Sequence, residues 1–399
     1  MNETSQNLRS TIETFTQQAQ FDALIDTCKI ALTDARTRDD IATEVMAIMG
    51  LALGHLYIGK FKDARILANG ALTKAETLHD GQLIARANII SGEIFLKGSY
   101  KPQDAESNYR QALRIAKEID DIYTATEALC GLGATFLQMD DVQRAQRFGR
   151  QAFEEAREHR IRYLMGTSLA VIGGAVTRSQ PEKATQAFED AMAIAQQDNF
   201  RLLELQLIGR IGHLLVRDER YADEGQLMLE KAYALAKDFR SVPDEFRAIY
   251  RLGRVYEERK LLEQATQYYG IMLERAQDWN ARPYEGIAFF NLGILAYNRI
   301  HYDDAIANFE QALTIARETN NPFQEAQTEQ VLGSCYLNMN DFEHALDHYM
   351  AARSIYDSLD NRYMMSIMLQ RIVTTYFQRV LTQVMRWLGL TKADDSDVD

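Results

Sequence analysis

Few residues of this 399-residue chain that could do chemistry stand at spacings that would let them do it. His344 and His348 lie four apart with Asp341 and Asp347 close by, and a helix would bring both imidazoles to one face, as zinc binding requires. Between them stands Ala345 rather than the glutamate of a zinc-protease helix, and no third ligand is evident. Both histidines are therefore expected to flank a packing face or meet solvent, and no metal site is expected. Cys28, Cys130 and Cys335 lie more than 100 residues apart without a CxxC pair, which fits neither a disulfide framework nor a metal knuckle and points to reduced cytoplasm. The glycines form neither GxxxxGK[ST] nor a strand-flanked GxGxxG, so no nucleotide cofactor is expected.

Arginines do gather. Arg247, Arg251 and Arg254 are spaced by four and three, which places them on one helix face. What positions such a row must be a set of helices, and these recur at a fixed period. Ala31, Ala71, Ala112, Ala152, Ala191, Ala232, Met272, Ala312 and Ala352 follow one another at 39 to 41 residues. Four residues beyond each marker come Ala35, Ala75, Ala116, Ala156, Ala195, Ala236, Ala276, Ala316 and, as the exception, Tyr356. A spacing of four puts both small residues on one helix face, where a neighbouring helix can approach closely.

Upstream of the markers runs a leucine-glycine-aromatic phrase: Leu132-Gly133 with Phe136, Leu252-Gly253 with Tyr256, Leu292-Gly293 with Tyr297, and Leu332-Gly333 with Tyr336. Twelve residues after those glycines come Ala145, Ala265, Ala305 and Ala345. A glycine inside a helix costs about 1 kcal/mol against alanine, so its recurrence calls for close helix packing. Pro243, Pro283 and Pro322 fall at the first turn of helix A, and Pro102 and Pro181 in A-to-B turns, where proline is tolerated. The pattern predicts about nine antiparallel helix pairs from residue 5 onward, then a further A-helix from about Asn361.

These residues resemble the tetratricopeptide repeat family, which shares the leucine-glycine, tyrosine, alanine, aromatic, alanine skeleton. The 40-residue unit resembles its long-repeat branch, seen in Pins/LGN-type adaptors, Rap-type peptide-sensing regulators and the sensor arms of bacterial signalling ATPases. The resemblance implies an all-α, right-handed α-solenoid of about nine helix pairs over residues 5–376, with A-helices lining a concave groove. Once the repeats are counted no segment is left for a catalytic domain, so neither enzymatic activity nor a cofactor is expected.

In such a solenoid the groove wall is made of A-helix residues two before, one after and five after the glycine phase. Around Gly212 these are Arg210, His213 and Arg217; around Gly253 they are Arg251, Arg254 and Glu258, with Arg247 one turn earlier. The next unit contributes Asn291 and Asn298, with Tyr250 and Phe290 beside the row. The N-terminal wall, near Met49, Leu53 and Tyr57, is apolar. The chain carries 44 Lys and Arg against 57 Asp and Glu, a net charge of −13, so a stacked arginine row raises repulsion unless something anionic answers it. Glu204, Glu219, Glu257 and Glu258 would neutralise it internally; otherwise it meets an acidic peptide or helix, or nucleic acid, which the acidic balance disfavours. The expected function is that of an adaptor holding a segment of another protein, with a signal-peptide-sensing regulator as the alternative.

Beyond Asn361, apolar stripes run as far as Leu390. The first half of this helix should cap the ninth repeat. An amphipathic extension is predicted over 377–391, and Phe377 to Leu390 has no B-helix left to cover it, so it folds back, meets a partner or a second copy, or lies on a membrane interface. Residues 392–399 are acidic and expected to be disordered. The uncharged stretch from Tyr163 to Thr177 is too short for a membrane span, and Met1 to Ser10 lacks the pattern of a secretion signal.

Overall fold

A computed structural model describes residues 2–388. Its local rule is a helix followed by a three-residue turn, about twenty residues in all. The middle turn residue takes a left-handed conformation, as at Asp120 (φ 54°), Asp140 (φ 58°), Asn320 (φ 51°) and Asp360 (φ 49°). That twist lets the next N–H reach back five residues, for example Asp121 to the Ala116 carbonyl at 2.9 Å and Asn321 to the Ala316 carbonyl at 2.8 Å, closing the helix. The same residue often opens the following helix: the Asp121 carboxylate accepts from the Thr124 N–H at 3.0 Å and Asn361 from Met364 at 3.1 Å. Aspartate and asparagine fill half of the left-handed positions because their short polar side chains tolerate that region.

Nine helix pairs result: α1 (Glu3–Gln17) and α2 (Phe21–Thr37), α3 (Ile41–Tyr57) and α4 (Phe61–Thr77), α5 (Gly81–Lys97) and α6 (Pro102–Glu118), α7 (Ile122–Gln138) and α8 (Val142–Glu158), α9 (Arg162–Val176) and α10 (Pro181–Gln197), α11 (Arg201–Leu215) and α12 (Ala222–Asp238), α13 (Val242–Glu258) and α14 (Leu262–Asp278), α15 (Arg282–Asn298) and α16 (Tyr302–Glu318), α17 (Pro322–Asn338) and α18 (Phe342–Ser358). A nineteenth helix, α19 (Arg362–Trp387), follows. The architecture is all-α and of the α-solenoid class, with no strand among the described residues. No described helix is long and apolar enough to cross a membrane. The boundary expected at 376/377 falls inside α19, and the end of the predicted extension and the acidic tail lie outside the described residues.

The periodic residues sit where their sizes demand. Every marker except Ala31 is buried, and so is every small residue four positions beyond it. Some of the glycines receive an aromatic ring from their own B-helix: a methyl group on Gly293 would lie 2.6 Å from the Phe309 ring, and one on Gly333 would lie 2.8 Å from Tyr349, whereas Gly133 meets Val171 of the next A-helix. The chain divides into two compact units, Met1–Tyr268 and Tyr269–Asp399. In the second, α15 to α18 pack each on the next, and α19 closes the row by burying Met368 and Ile372 against Tyr349 and Tyr356.

The first unit has an inner layer of A-helices, α1, α3, α5, α7, α9, α11 and α13, each beside the next. This layer curls until its ends meet, α11 touching α1 and α13 touching α3. Leu202 and Phe239 join the N-terminal core cluster, and Asp22 pairs with Arg240 at 2.8 Å. The packing corrects one expectation. Met49, Leu53 and Tyr57 do not line an open apolar wall: all three are buried, with Tyr57 stacked on Phe21 of α2.

Candidate functional site

The arginines of the first unit sit on α11 and α13. Asp244, in the first turn of α13, accepts from the Ser241 hydroxyl at 2.6 Å and from the Arg247 guanidinium at 2.5 Å. Arg254 lies over its own helix, 3.5 Å from Glu257 and 3.2 Å from Glu258. Arg210 and Arg251 differ: among the described residues neither makes an ion pair or a hydrogen bond. Each guanidinium lies on a glycine instead. A methyl on Gly174 would stand 2.9 Å from Arg210 Nη1, and one on Gly209 would come closer still to Arg251 Nη1, so a side chain at either position would push the flexible end of the arginine aside.

Electrostatics follow from that placement. Burial, reinforced by the charge of Arg247 and only partly relieved by Asp244, pulls Arg210 down to about 10. Burial, then Arg210 and Arg247, pulls Arg251 well below the ordinary arginine value. His213, one turn along α11 from Arg210, is pushed down to about 3 by burial and by Arg251, Arg217, Arg254 and Arg178, and its Nδ1 is buried without a hydrogen-bond partner. Three guanidiniums, Arg210, Arg247 and Arg251, thus share one carboxylate, Asp244. What such a cluster can do is bind anions, preferably planar ones that match the guanidinium fork.

The remaining expected residues are placed as follows. Arg217 stands just past the end of α11 and is exposed, while Tyr250 is half-buried, with burial raising its phenol. Phe290, Asn291 and Asn298 belong to the second unit. There Asn291 is buried and donates to the Ile287 carbonyl at 2.7 Å, Phe290 lies 5.7 Å from the Phe309 ring, and Asn298 is exposed. Of the glutamates considered as neutralisers, Glu257 and Glu258 engage Arg254, whereas Arg247 is answered by Asp244. His344 pairs with Asp341 and His348 with Glu329, each at 2.6 Å, and Tyr336 stacks on both imidazoles.

Spacing did not reveal the opposite part of the inner layer. There the Tyr57 hydroxyl donates to Glu93 at 2.8 Å and accepts from Lys97 at 2.7 Å, while Arg86 pairs with Glu127 and Glu13. Arg9 reaches from α1 to α7, 3.2 Å from Asp121 and 3.0 Å from the Thr124 hydroxyl. These charges compensate one another, unlike those of Arg210 and Arg251. Doubled glycines at Gly173-Gly174, and Gly209 beside Gly212, were the available signal for the arginine cradles.

Together these features define an α-helical repeat protein with an uncompensated basic patch on its inner layer. Residues 286–358, from within α15 to the end of α18, match the sequence model of the tetratricopeptide repeat, so the resemblance carried by the leucine-glycine-aromatic phrases at Gly293 and Gly333 holds. No curated protein sequence matches the chain. Among solved structures it is similar to a Rap protein complexed with competence and sporulation factor, with a TM-score of 0.55, 12% identity and coverage of 94% of this chain and 99% of that one. It is also similar to the Rap conjugation gene regulator of the plasmid pLS20 in complex with the Phr* peptide (TM-score 0.53, 13% identity, 85% and 96% covered). A third is a signal-transduction ATPase with a tetratricopeptide repeat sensor from Pyrococcus horikoshii (TM-score 0.51, 13% identity), of which this chain spans 65% while 96% of this chain is covered. These likenesses concern the fold.

Proposed function

We propose that this protein is a non-enzymatic binding protein of the cytoplasm whose first unit holds an acidic peptide segment of another protein on its inner layer. The observation that carries the proposal is the pair of arginines, Arg210 and Arg251, seated on glycines with no counter-ion of their own among the described residues. A protein of net charge −13 has carboxylates enough to neutralise two more arginines, yet these remain uncompensated, as suits a site whose anion comes from a ligand. Two similar folds, both Rap proteins, were solved with a bound factor or peptide, which supports a peptide over nucleic acid.

Signal sensing is the second reading, and the curl of the first unit favours it. Its ends meet through a solvent-exposed pair, Asp22 with Arg240, and a few apolar side chains. An exposed ion pair contributes about 0.2 to 1 kcal/mol, so a ligand binding the inner layer could shift this closure with modest differential affinity.

The test begins with a pull-down and mass spectrometry to identify the bound segment, followed by titration calorimetry with the synthetic peptide. Arg251→Glu is expected to weaken binding at least about ten-fold, since a charge-assisted contact is worth about 1.5 to 3 kcal/mol. Higher salt is expected to weaken it too. Unchanged affinity in Arg251→Glu, with the helical fold intact, overturns the proposal.

A further inference from the structure

α19 is the longest helix described, 26 residues where most of the others have 17. Met368, Ile372 and Thr375 face its own unit and are buried. On the opposite side Val373, Phe377, Val380, Val384 and Trp387 are spaced 4, 3, 4, 3, the rhythm of a coiled-coil seam, and all five are between 44% and 85% exposed. The cations Arg371, Arg379 and Arg386 lie off this seam, and Arg379 pairs back to Glu343 of α18 at 2.8 Å.

In the two preceding pairs a B-helix ring rests on the A-helix glycine, Phe309 on Gly293 and Tyr349 on Gly333. The residue at that phase in α19 is Val373, which is exposed and belongs to the apolar seam.

We propose that the seam pairs with a second copy of this chain, the two α19 helices running antiparallel about a two-fold axis at Val380. Size complementarity sets the direction. Antiparallel pairing about Val380 puts Trp387 opposite the partner subunit's Val373 and Phe377 within one residue of the partner subunit's Val384, so both large side chains meet a small one while Val380 meets its own counterpart. Parallel pairing would force tryptophan on tryptophan and phenylalanine on phenylalanine in the same layers. With Tyr376, Leu381 and Leu388 flanking the seam, its exposed side chains offer on the order of 700 Å² per copy, about 1,400 Å² in all, within the range of specific interfaces. Charge favours a second copy over an anionic bilayer: the chain is net −13, and Glu343 of α18 engages Arg379, one of the few cations of α19.

Light scattering and sedimentation of the full chain at micromolar concentration should report the mass of two chains. The double variant Phe377→Glu, Val384→Glu should report one, with unchanged circular dichroism and melting temperature. Cysteine cross-linking reads the direction independently, because Cys28, Cys130 and Cys335 are buried. Val380→Cys should cross-link to itself, Phe377→Cys should not, and a mixture of Phe377→Cys with Val384→Cys should. A monomeric parent chain, a dimer that survives the double variant, or self-cross-linking of Phe377→Cys without the mixed product would each overturn the proposal. So would a monomer that floats with phosphatidylserine vesicles and loses that binding in the double variant.

Discussion

Arg251 illustrates how a single side chain can be unfavourable for folding and useful for binding. Its guanidinium is half-buried on Gly209, beside the like charges of Arg210 and Arg247, with one shared carboxylate in reach. Arg251→Met is therefore expected to raise stability by about 1 to 3 kcal/mol in thermal melts while abolishing ligand binding. His213 reports the same environment through pH. An imidazole kept neutral in the fold, its value near 3, but free to protonate at about 6.5 once unfolded, makes the unfolded chain the better proton acceptor between those values. Stability is thus lost as pH falls through that window. Between pH 7.5 and pH 5, His213→Gln should lose about 2 kcal/mol less than the parent chain, read from urea melts at both pH values. Burial raises Glu127 and acts in the opposite sense over this range, so the difference between variant and parent is the quantity to measure.

Helices of this protein are set by close approach on one side and turn chemistry at the ends. Gly293 lies under the Phe309 ring, whereas a side chain at Gly70 in α4 would meet nothing within 4 Å. Gly293→Leu should therefore destabilise by about 1 to 3 kcal/mol despite better helix propensity. Gly70→Ala has no such contact to break and should stabilise by up to about 1 kcal/mol. Equal effects at the two positions would mean that ring seating is not what holds glycine at the crossing. At the ends, Ile300 is the poorly suited turn residue: it is β-branched, exposed and left-handed (φ 66°), at a position taken by asparagine at 280, 320 and 340. Ile300→Asn is expected to raise stability by about 1 kcal/mol in chemical denaturation.

At the scale of the molecule, the curl of the first unit departs from a chain in which each repeat feels only its neighbours. Phe239 and Leu202 pack into the N-terminal cluster with Phe21 and Leu24, more than 170 residues away in sequence. Phe239→Ala should therefore speed amide hydrogen exchange in α2 and α3 as well as in α12 and α13. Exchange confined to α12 and α13 would show that the closing contacts carry no cooperative stability.

Period, helix number and A/B alternation were legible in the sequence because they follow from contacts within one pair and between adjacent pairs. Ala145 under its crossing, Gly333 under Tyr349 and Asp120 in its turn each act over fewer than about twenty residues, and each leaves a periodic mark. The arginine row was legible in part: the phase of α11 and α13 picked out Arg210, Arg251 and Arg254, but not that Asp244 would answer Arg247 or that Gly174 and Gly209 would cradle the two arginines left over. Tertiary structure alone decided that the first unit closes on itself, and that Met49, Leu53 and Tyr57 are core and not an open wall. The reason is geometric. Closure is the sum of a small rotation at each of several pair-to-pair contacts, and no local spacing of alanines and glycines states that angle closely enough for the sum to be read in advance.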